Sequence, residues 1–323
     1  MTGKGGTGKT TVAAALALSL AAEGRRTLLV EVEGRQGIAQ LFETEALPYE
    51  ERKIAVAPGP GGGEVYALAI DPELALLDYL DMFYKLGRAG KALQKLGAID
   101  FATTIAPGLR DVLLTGKACE AVRRKDKAGW RVYDAVVMDA PPTGRITRFL
   151  NVNDEVAGLA RIGPIHNQAQ AVMRVLKSAE TAVHMVTLLE EMPVQETVDG
   201  VAELRAAELP VGAVIINMLR PVLLDGAAVD LAANGQRAAI ATALSAAGLG
   251  GARRGGLAER LVGPLLAQAR EHAERVELER REREEIAELG LSTYELQQMG
   301  DGIDLAGLYR LAESLRKQGG VLA

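Results

Sequence analysis

Cysteine is almost missing from this chain: of 323 residues, Cys119 alone carries a thiol. That excludes an internal disulfide and any all-cysteine metal site within one subunit, and it fits a reducing, cytoplasmic compartment. Histidine is nearly as scarce, and His166, His184 and His272 show no metal-ligand spacing. His184, inside an apolar strand-like run, reads as a packed core residue. No apolar run approaches the ~20 residues that span a bilayer, so membrane contact would be indirect, at a surface or through a partner. Excess positive charge is also lacking. A net charge of −5 leaves no basic footprint and argues against nucleic acid as a partner, with Arg123-Arg124-Lys125 reading as a solvated helix end. No internal repeat is found. What is plentiful is hydrophobic content, 48% of the chain, enough to core one large α/β domain or two modest ones.

The most informative stretch opens the chain. Gly3-Lys4-Gly5-Gly6-Thr7-Gly8-Lys9-Thr10-Thr11 fits the G-x-x-x-x-G-K-[ST] phosphate loop. The residue types follow from the chemistry. Gly5, Gly6 and Gly8 let backbone N–H groups turn inward around phosphates, Lys9 supplies a charge for the β and γ oxygens, and Thr10 is placed to hold Mg²⁺. The apolar run Val12 to Ala22 reads as a helix whose positive end aims at the same phosphates, stopped by Gly24. A secretory signal would also combine lysines with an apolar run, but has no need of a glycine loop ending in Lys-Thr-Thr. Lys4 stands where an ordinary phosphate loop leaves the residue free, so it is either a surface charge or a residue with a task. Only Met1 and Thr2 precede Gly3, too few for the usual strand of about five residues. The expectation is a missing strand and a natural start upstream.

Further strands alternate with helices. Thr27–Val32 has the apolar continuity of a buried parallel strand, and Glu33 follows it, either facing the nucleotide or sitting as a surface acid in a turn. Val65–Ile70 is a second strand, after a Pro/Gly-rich hairpin or loop at 57–63. Asp71-Pro72 starts a helix as N-cap and first-turn proline, and its Leu77, Leu80, Phe83, Tyr84 and Leu86 read as core before partner groove. Tyr133–Asp139 is an apolar strand ending in a carboxylate, the second half of a phosphate-loop site, where Asp139 holds Mg²⁺ through water. The Pro-Pro-Thr-Gly turn after it looks like a switch near the γ-phosphate. Strands at 182–188 and 211–216 follow, the latter leading into Asn217 on the ligand side, then an Ala/Gly-rich helical excursion at 227–256, a long charged helix at 257–289 and a final helix at 305–315. The order implies one domain over 1–323: a doubly wound, mostly parallel sheet of the P-loop NTPase type. A helical subdomain is inserted at about 71–128, and a short helical segment lies at about 151–180.

At these motifs the chain resembles the arsenite-pump and tail-anchored-protein targeting ATPase family, the deviant phosphate-loop ATPases. Lys4 matches the group's extra signature lysine. Asp139 to Arg145, with Arg148-Phe149-Leu150, is similar to the family's second switch, and the stretches from Glu31 and from Ala106 are similar to actinobacterial anion-transporting-ATPase-like proteins. The resemblance implies that Lys4 reaches across a two-fold interface so that two ATP molecules lie between subunits. It implies that Asn217 reads the adenine, and that Ala106-Pro107-Gly108 with Asp111 belongs to the part that handles clients or anions. It implies a cytoplasmic Mg-ATP switch, homodimeric or paired with a paralogous ATPase, acting on an unknown protein or anion. Four departures stand out: Glu33-Gly34-Arg35-Gln36 where the first switch reads D-P-A-H, Arg145 for the second-switch histidine, no Cys-x-x-Cys pair, and a segment at 151–180 with only Met173 in place of a methionine-rich groove. With Glu33 in the water-orienting place, hydrolysis is expected to be slow. The competing expectation is a non-hydrolysing nucleotide-binding regulatory subunit of a heterodimer. A small-molecule kinase or a DNA-partition ATPase fits less well, because of Lys4 and the charge balance.

Overall fold

A computed structural model describes residues 1–59, 61–84, 107–159, 164–224, 226–249, 256–300 and 302–319. In chain order the first half runs β1 (Thr2–Gly3), α1 (Lys9–Ala21), β2 (Arg26–Glu31), α2 (Gly37–Leu41), β3 (Arg52–Val56), β4 (Glu64–Ala69), α3 (Pro72–Tyr84), α4 (Pro107–Arg123) and β5 (Ala135–Asp139). The second half runs α5 (Thr143–Leu159), α6 (Pro164–Leu176), β6 (Val183–Thr187), α7 (Glu191–Ala206), β7 (Val211–Leu219), α8 (Gly226–Ala233), α9 (Arg237–Ala246), α10 (Leu257–Glu288), β8 (Thr293–Gln297) and α11 (Leu305–Gly319).

Two four-stranded sheets are formed, in the orders β1-β6-β7-β8 and β3-β4-β2-β5. All pairs are parallel except β3 with β4, an antiparallel hairpin at the edge. The strand expected to be missing before the phosphate loop is present as a two-residue stub, Thr2 and Gly3 pairing with Met185 and Val186. Met1 closes the gap to the other sheet: its amine donates to the Met138 carbonyl at 2.8 Å and its carbonyl accepts from Ala140 N at 3.0 Å. The stub therefore lies between β5 and β6, which brings Asp139 beside the loop.

Strand periodicity splits the core across the two faces. Leu28, Val30, Val214 and Ile216 join Phe149, Ile146 and Leu204 on one face, while Leu29, Val137 and Ile215 join α1 and α11 on the other. α1 is apolar all round because it is buried all round, from Val12 through Leu18, and its alanines let it lie close to the sheet and to α11. Each fully buried Val or Leu there contributes roughly 1.5–3 kcal/mol.

Local details depart from the sequence expectation in three places. α1 starts at Lys9, three residues before Val12. β3, the first arm of the hairpin, reads Arg-Lys-Ile-Ala-Val at the sheet edge without alternation of polar and apolar residues, and periodicity alone did not mark it. β7 continues past Asn217 to Leu219, with a register irregularity between Ile216 and Leu219 and Met218 at φ 54°. The expected cap of α3 is found: the Asp71 carboxylate accepts N–H bonds from Glu73 and Leu74, both at 2.9 Å. The helical insertion expected at 71–128 includes residues 85–106, and the segment expected at 151–180 includes 160–163; both stretches lie outside the described residues, as does Leu86.

His184 is buried in β6, where its Nδ1 accepts the Ala213 N–H at 2.9 Å. Burial holds the imidazole neutral and lowers its pKa to about 4. Below the unfolded value near 6.5 the unfolded chain takes up a proton that the folded chain refuses, so stability falls as pH drops toward 4. Over that window the loss is about 3 kcal/mol. Urea denaturation at pH 7 and pH 4.5 should show the His184 share of the acid loss disappear in His184→Gln, which keeps an acceptor for Ala213. An unchanged slope would refute it.

Candidate functional site

The phosphate loop leaves β1 and enters α1 through Gly8, the N-cap, at φ 82°. A side chain there would be strained by that φ, and its Cβ would meet Asn217 Nδ2 at 2.4 Å. Within the loop, Thr7 N and Thr7 Oγ1 both donate to the Lys4 carbonyl, at 3.3 and 2.9 Å. Lys9 Nζ reaches the same carbonyl at 3.5 Å, so its ammonium lies over the loop it belongs to. Gly5 and Gly6 have open space around their Cβ positions. Thr11 follows as a partly buried residue of the first turn of α1.

Two more elements converge on this loop. From β5, Asp139 Oδ2 accepts the Thr10 hydroxyl at 2.6 Å. Its other oxygen, Oδ1, is buried without a partner among the described residues, and so is Thr143 Oγ1 at the start of α5. Burial raises the Asp139 pKa, against the Thr10 hydrogen bond and the charge of Lys9. Burial also lowers that of Lys9, against the charges of Asp139 and Glu33. A desolvated carboxylate with an open oxygen beside a loop threonine is a donor set suited to a hard divalent cation with retained water. The residues present thus fit Mg²⁺.

Beyond β2, the chain turns at Val32 to Gln36. Glu33 is 24% exposed, 3.6 Å from the Arg35 guanidinium, and close enough to Lys9 and Asp139 to influence both. The turn is held by a residue that sequence reasoning passed over. Glu31, 2% exposed at the end of β2, accepts N–H bonds from Gln36 at 2.5 Å and Ile38 at 3.4 Å. Apart from being an acid in an apolar run, it gave no sign of this. Asn217 is buried under the loop, and its amide donates to the Thr7 carbonyl at 2.9 Å. Next to it, Met218 places its methyl 3.2 Å from where a Gly8 Cβ would sit; no motif pointed to Met218.

Lys4 is set apart from the others. Its ammonium pairs with Glu196 Oε1 on α7 at 2.6 Å, with both side chains about one-third exposed (29% and 35%). Glu196, 192 residues away in sequence, is another contributor that the sequence did not reveal. Arg145 leans from α5 toward Asp111 on α4 at 3.5 Å.

A lysine-ended glycine loop running from strand into helix, with the strand-end carboxylate of β5 closing on its threonine, places the chain in the class of phosphate-loop nucleoside triphosphatase folds. The particular group follows from comparison with known proteins. The chain belongs to the anion-transporting ATPase family, whose family model matches residues 1–180. It is 52% identical to the ATPase BagA of Mycobacterium tuberculosis over 321 residues, covering 99% of this chain and 92% of that protein. It is also similar to the ATPase GET3 of Kluyveromyces lactis, 26% identical over 251 residues, 67% of this chain and 70% of the relative. A second ATPase GET3, from Eremothecium gossypii, is 26% identical over 250 residues, again 67% and 70%. The protein is an ATPase of this family, on a parallel α/β sheet. Among the described residues no helix is long and apolar enough to cross a membrane.

Proposed function

We propose that the protein is a two-subunit switch driven by Mg-ATP. The observation that supports the Mg-ATP part of this reading is the Thr10–Asp139 contact with Asp139 Oδ1 left open, a donor set that suits a cation at the foot of the phosphate loop. Gly3 to Thr11 cradle the phosphates and Lys9 neutralises their charge. Thr10 and, through water, Asp139 hold Mg²⁺, which when bound offsets the charge of the β and γ oxygens. Glu33 orients the attacking water, and Asn217 braces the loop on the side where the base reaches it. Lys4 leaves Glu196 to complete the site of a second copy or of a paralogous ATPase. Closure then moves a helical unit over about 71–128, with a smaller one over about 151–180, around a protein or anion client.

Glu33→Gln tests the hydrolytic half. Removing a carboxylate that positions water costs about 10²-fold or more in rate, so single-turnover ATP hydrolysis is expected to fall by that factor while ATP affinity holds. The Glu33–Arg35 ion pair supports a second reading, in which this carboxylate is kept from water and the chain acts as a nucleotide-binding regulatory subunit. Equal, negligible turnover by parent and variant would favour it.

A further inference from the structure

The turn between β2 and α2 is fixed along its backbone and free at one side chain. The buried Glu31 carboxylate accepts the N–H groups of Gln36 and Ile38, and the Gln36 amide exchanges hydrogen bonds with the backbone of Leu47, at 2.7 and 3.3 Å. Gly34 at φ 66° and Gln36 at φ 55° set the bend. Gly37 rests on the phosphate loop, since a Cβ there would sit 3.2 Å from the methyl of Thr10. The turn is therefore seated against the loop threonine. From its middle Arg35 carries a side chain that is 78% exposed. Among the described residues its ion pair within 4 Å is with Glu33, and at 3.6 Å that contact is longer than a charge-assisted hydrogen bond of about 2.7–2.9 Å. So loose and hydrated a pair holds weakly.

The free guanidinium stands close to the nucleotide loop. Burial lowers the pKa of Lys9, the charges of Asp139 and Glu33 oppose that, and the charge of Arg35 adds to the lowering. Arg145, from the second switch segment, is placed differently: it leans on Asp111 and is not among the main charges that act on Lys9 or Asp139. In hydrolysis the water oxygen bonds to the γ-phosphorus as the bond to the β–γ bridging oxygen breaks. The electron pair leaves with ADP, and one water proton passes to a γ oxygen, so that ADP and dihydrogen phosphate are released. Charge develops on the bridging oxygen and stays spread over the γ oxygens, and a planar guanidinium fork can donate to two such oxygens at once. We propose that Arg35 is a catalytic residue that leaves Glu33 when ATP binds and donates to the γ-phosphate and the bridging oxygen as the phosphoryl group transfers. The same movement uncovers Glu33 for the attacking water. That second consequence rests on the water-orienting reading of Glu33 above; the contact of Arg35 with phosphate does not.

Trapping of ADP by aluminium fluoride, a mimic of the transferring phosphoryl group, tests the contact on the full chain without turnover. With Mg²⁺ present, the unmodified chain is expected to hold ADP on the order of 100-fold more tightly with aluminium fluoride than without it. Arg35→Ala should lose most of that gain while binding ADP alone as before. Its single-turnover ATP hydrolysis is expected to fall on the order of 10³-fold, with the melting temperature unchanged because the side chain is exposed. Arg35→Lys should keep part of the rate, having the charge without the fork. Added guanidinium ion should restore part of the rate to Arg35→Ala, which a merely structural role would not allow. Parental turnover by Arg35→Ala, or equal loss of ADP and ADP–aluminium fluoride binding, would overturn the proposal. A faster Arg35→Ala would make Arg35 only a restraint on Glu33 and would overturn it as well. Parental turnover by Glu33→Gln would defeat the release of Glu33, while the trapping of ADP still decides the role of Arg35.

Discussion

Asp139→Asn is expected to lower ATP turnover by roughly 100- to 1,000-fold while leaving the empty protein as stable as before or more so. The loss follows from the proposed cation role of Asp139. A bound metal that polarises phosphoryl oxygens is worth several kcal/mol of transition-state stabilisation, and each 1.36 kcal/mol is tenfold in rate. Asparagine keeps the shape at position 139 and an acceptor for the Thr10 hydroxyl, now 2.6 Å from Oδ2. It removes the charge that Mg²⁺ needs. Stability moves the other way because the Asp139 pKa is raised by burial. A carboxyl whose folded pKa exceeds its unfolded one makes the fold less stable at neutral pH, by an amount that vanishes as pH falls below the unfolded value. The neutral amide escapes that cost. Two measurements separate this from damage to the fold: the melting temperature without nucleotide should not fall, and the rise in melting temperature on adding Mg-ATP should be lost. Full turnover by the variant, or an empty protein that melts well below the parent, would count against the cation role.

Lys4→Ala and Glu196→Gln are expected to act in opposite directions on assembly. The Lys4–Glu196 pair, at 2.6 Å with both side chains about one-third exposed, is worth no more than about 1 kcal/mol once solvent screening is counted. It is easily exchanged for phosphate oxygens, which offer stronger charge-assisted contacts. If Lys4 serves the partner's nucleotide, Lys4→Ala should abolish the Mg-ATP-dependent dimer in sedimentation velocity and cost about 10²-fold in turnover, as loss of a transition-state donor does. Glu196→Gln frees the lysine without removing it. The ATP concentration at half-maximal dimerisation should then fall by up to about 5-fold, the factor that 1 kcal/mol supplies at room temperature. A protein that stays monomeric in Mg-ATP, or one whose Lys4→Ala form dimerises and turns over normally, would remove the trans role.

The phosphate loop could be read directly because its chemistry lies in the backbone. Glycines at fixed offsets, a lysine and a threonine specify the bend wherever the loop is placed, and Gly8 at φ 82° shows the demand met. Asp139 was legible for a related reason: an apolar run that ends in an acid points that acid to the ligand side of a parallel sheet. The Asp71 cap is a contact across three residues and needs no tertiary context. Glu31 was hidden by the same apolar run that revealed its strand, because its partners come from a turn whose shape depends on the surrounding packing. β3 escaped notice because an edge strand facing solvent need not alternate cleanly.

Local pattern therefore marked the glycine loop, the parallel α/β class and the strand-end acid that meets the loop, all of which follow from contacts within a few residues or from a repeat along one element. The fold alone decided which side chains meet across long separations. It put Glu196 on Lys4 and Asn217 under Thr7, 192 and 210 residues apart in the chain. Such meetings depend on the order and register of strands and on how helices pack over them, and these are set by burial summed over the whole core and not by the residues that eventually touch.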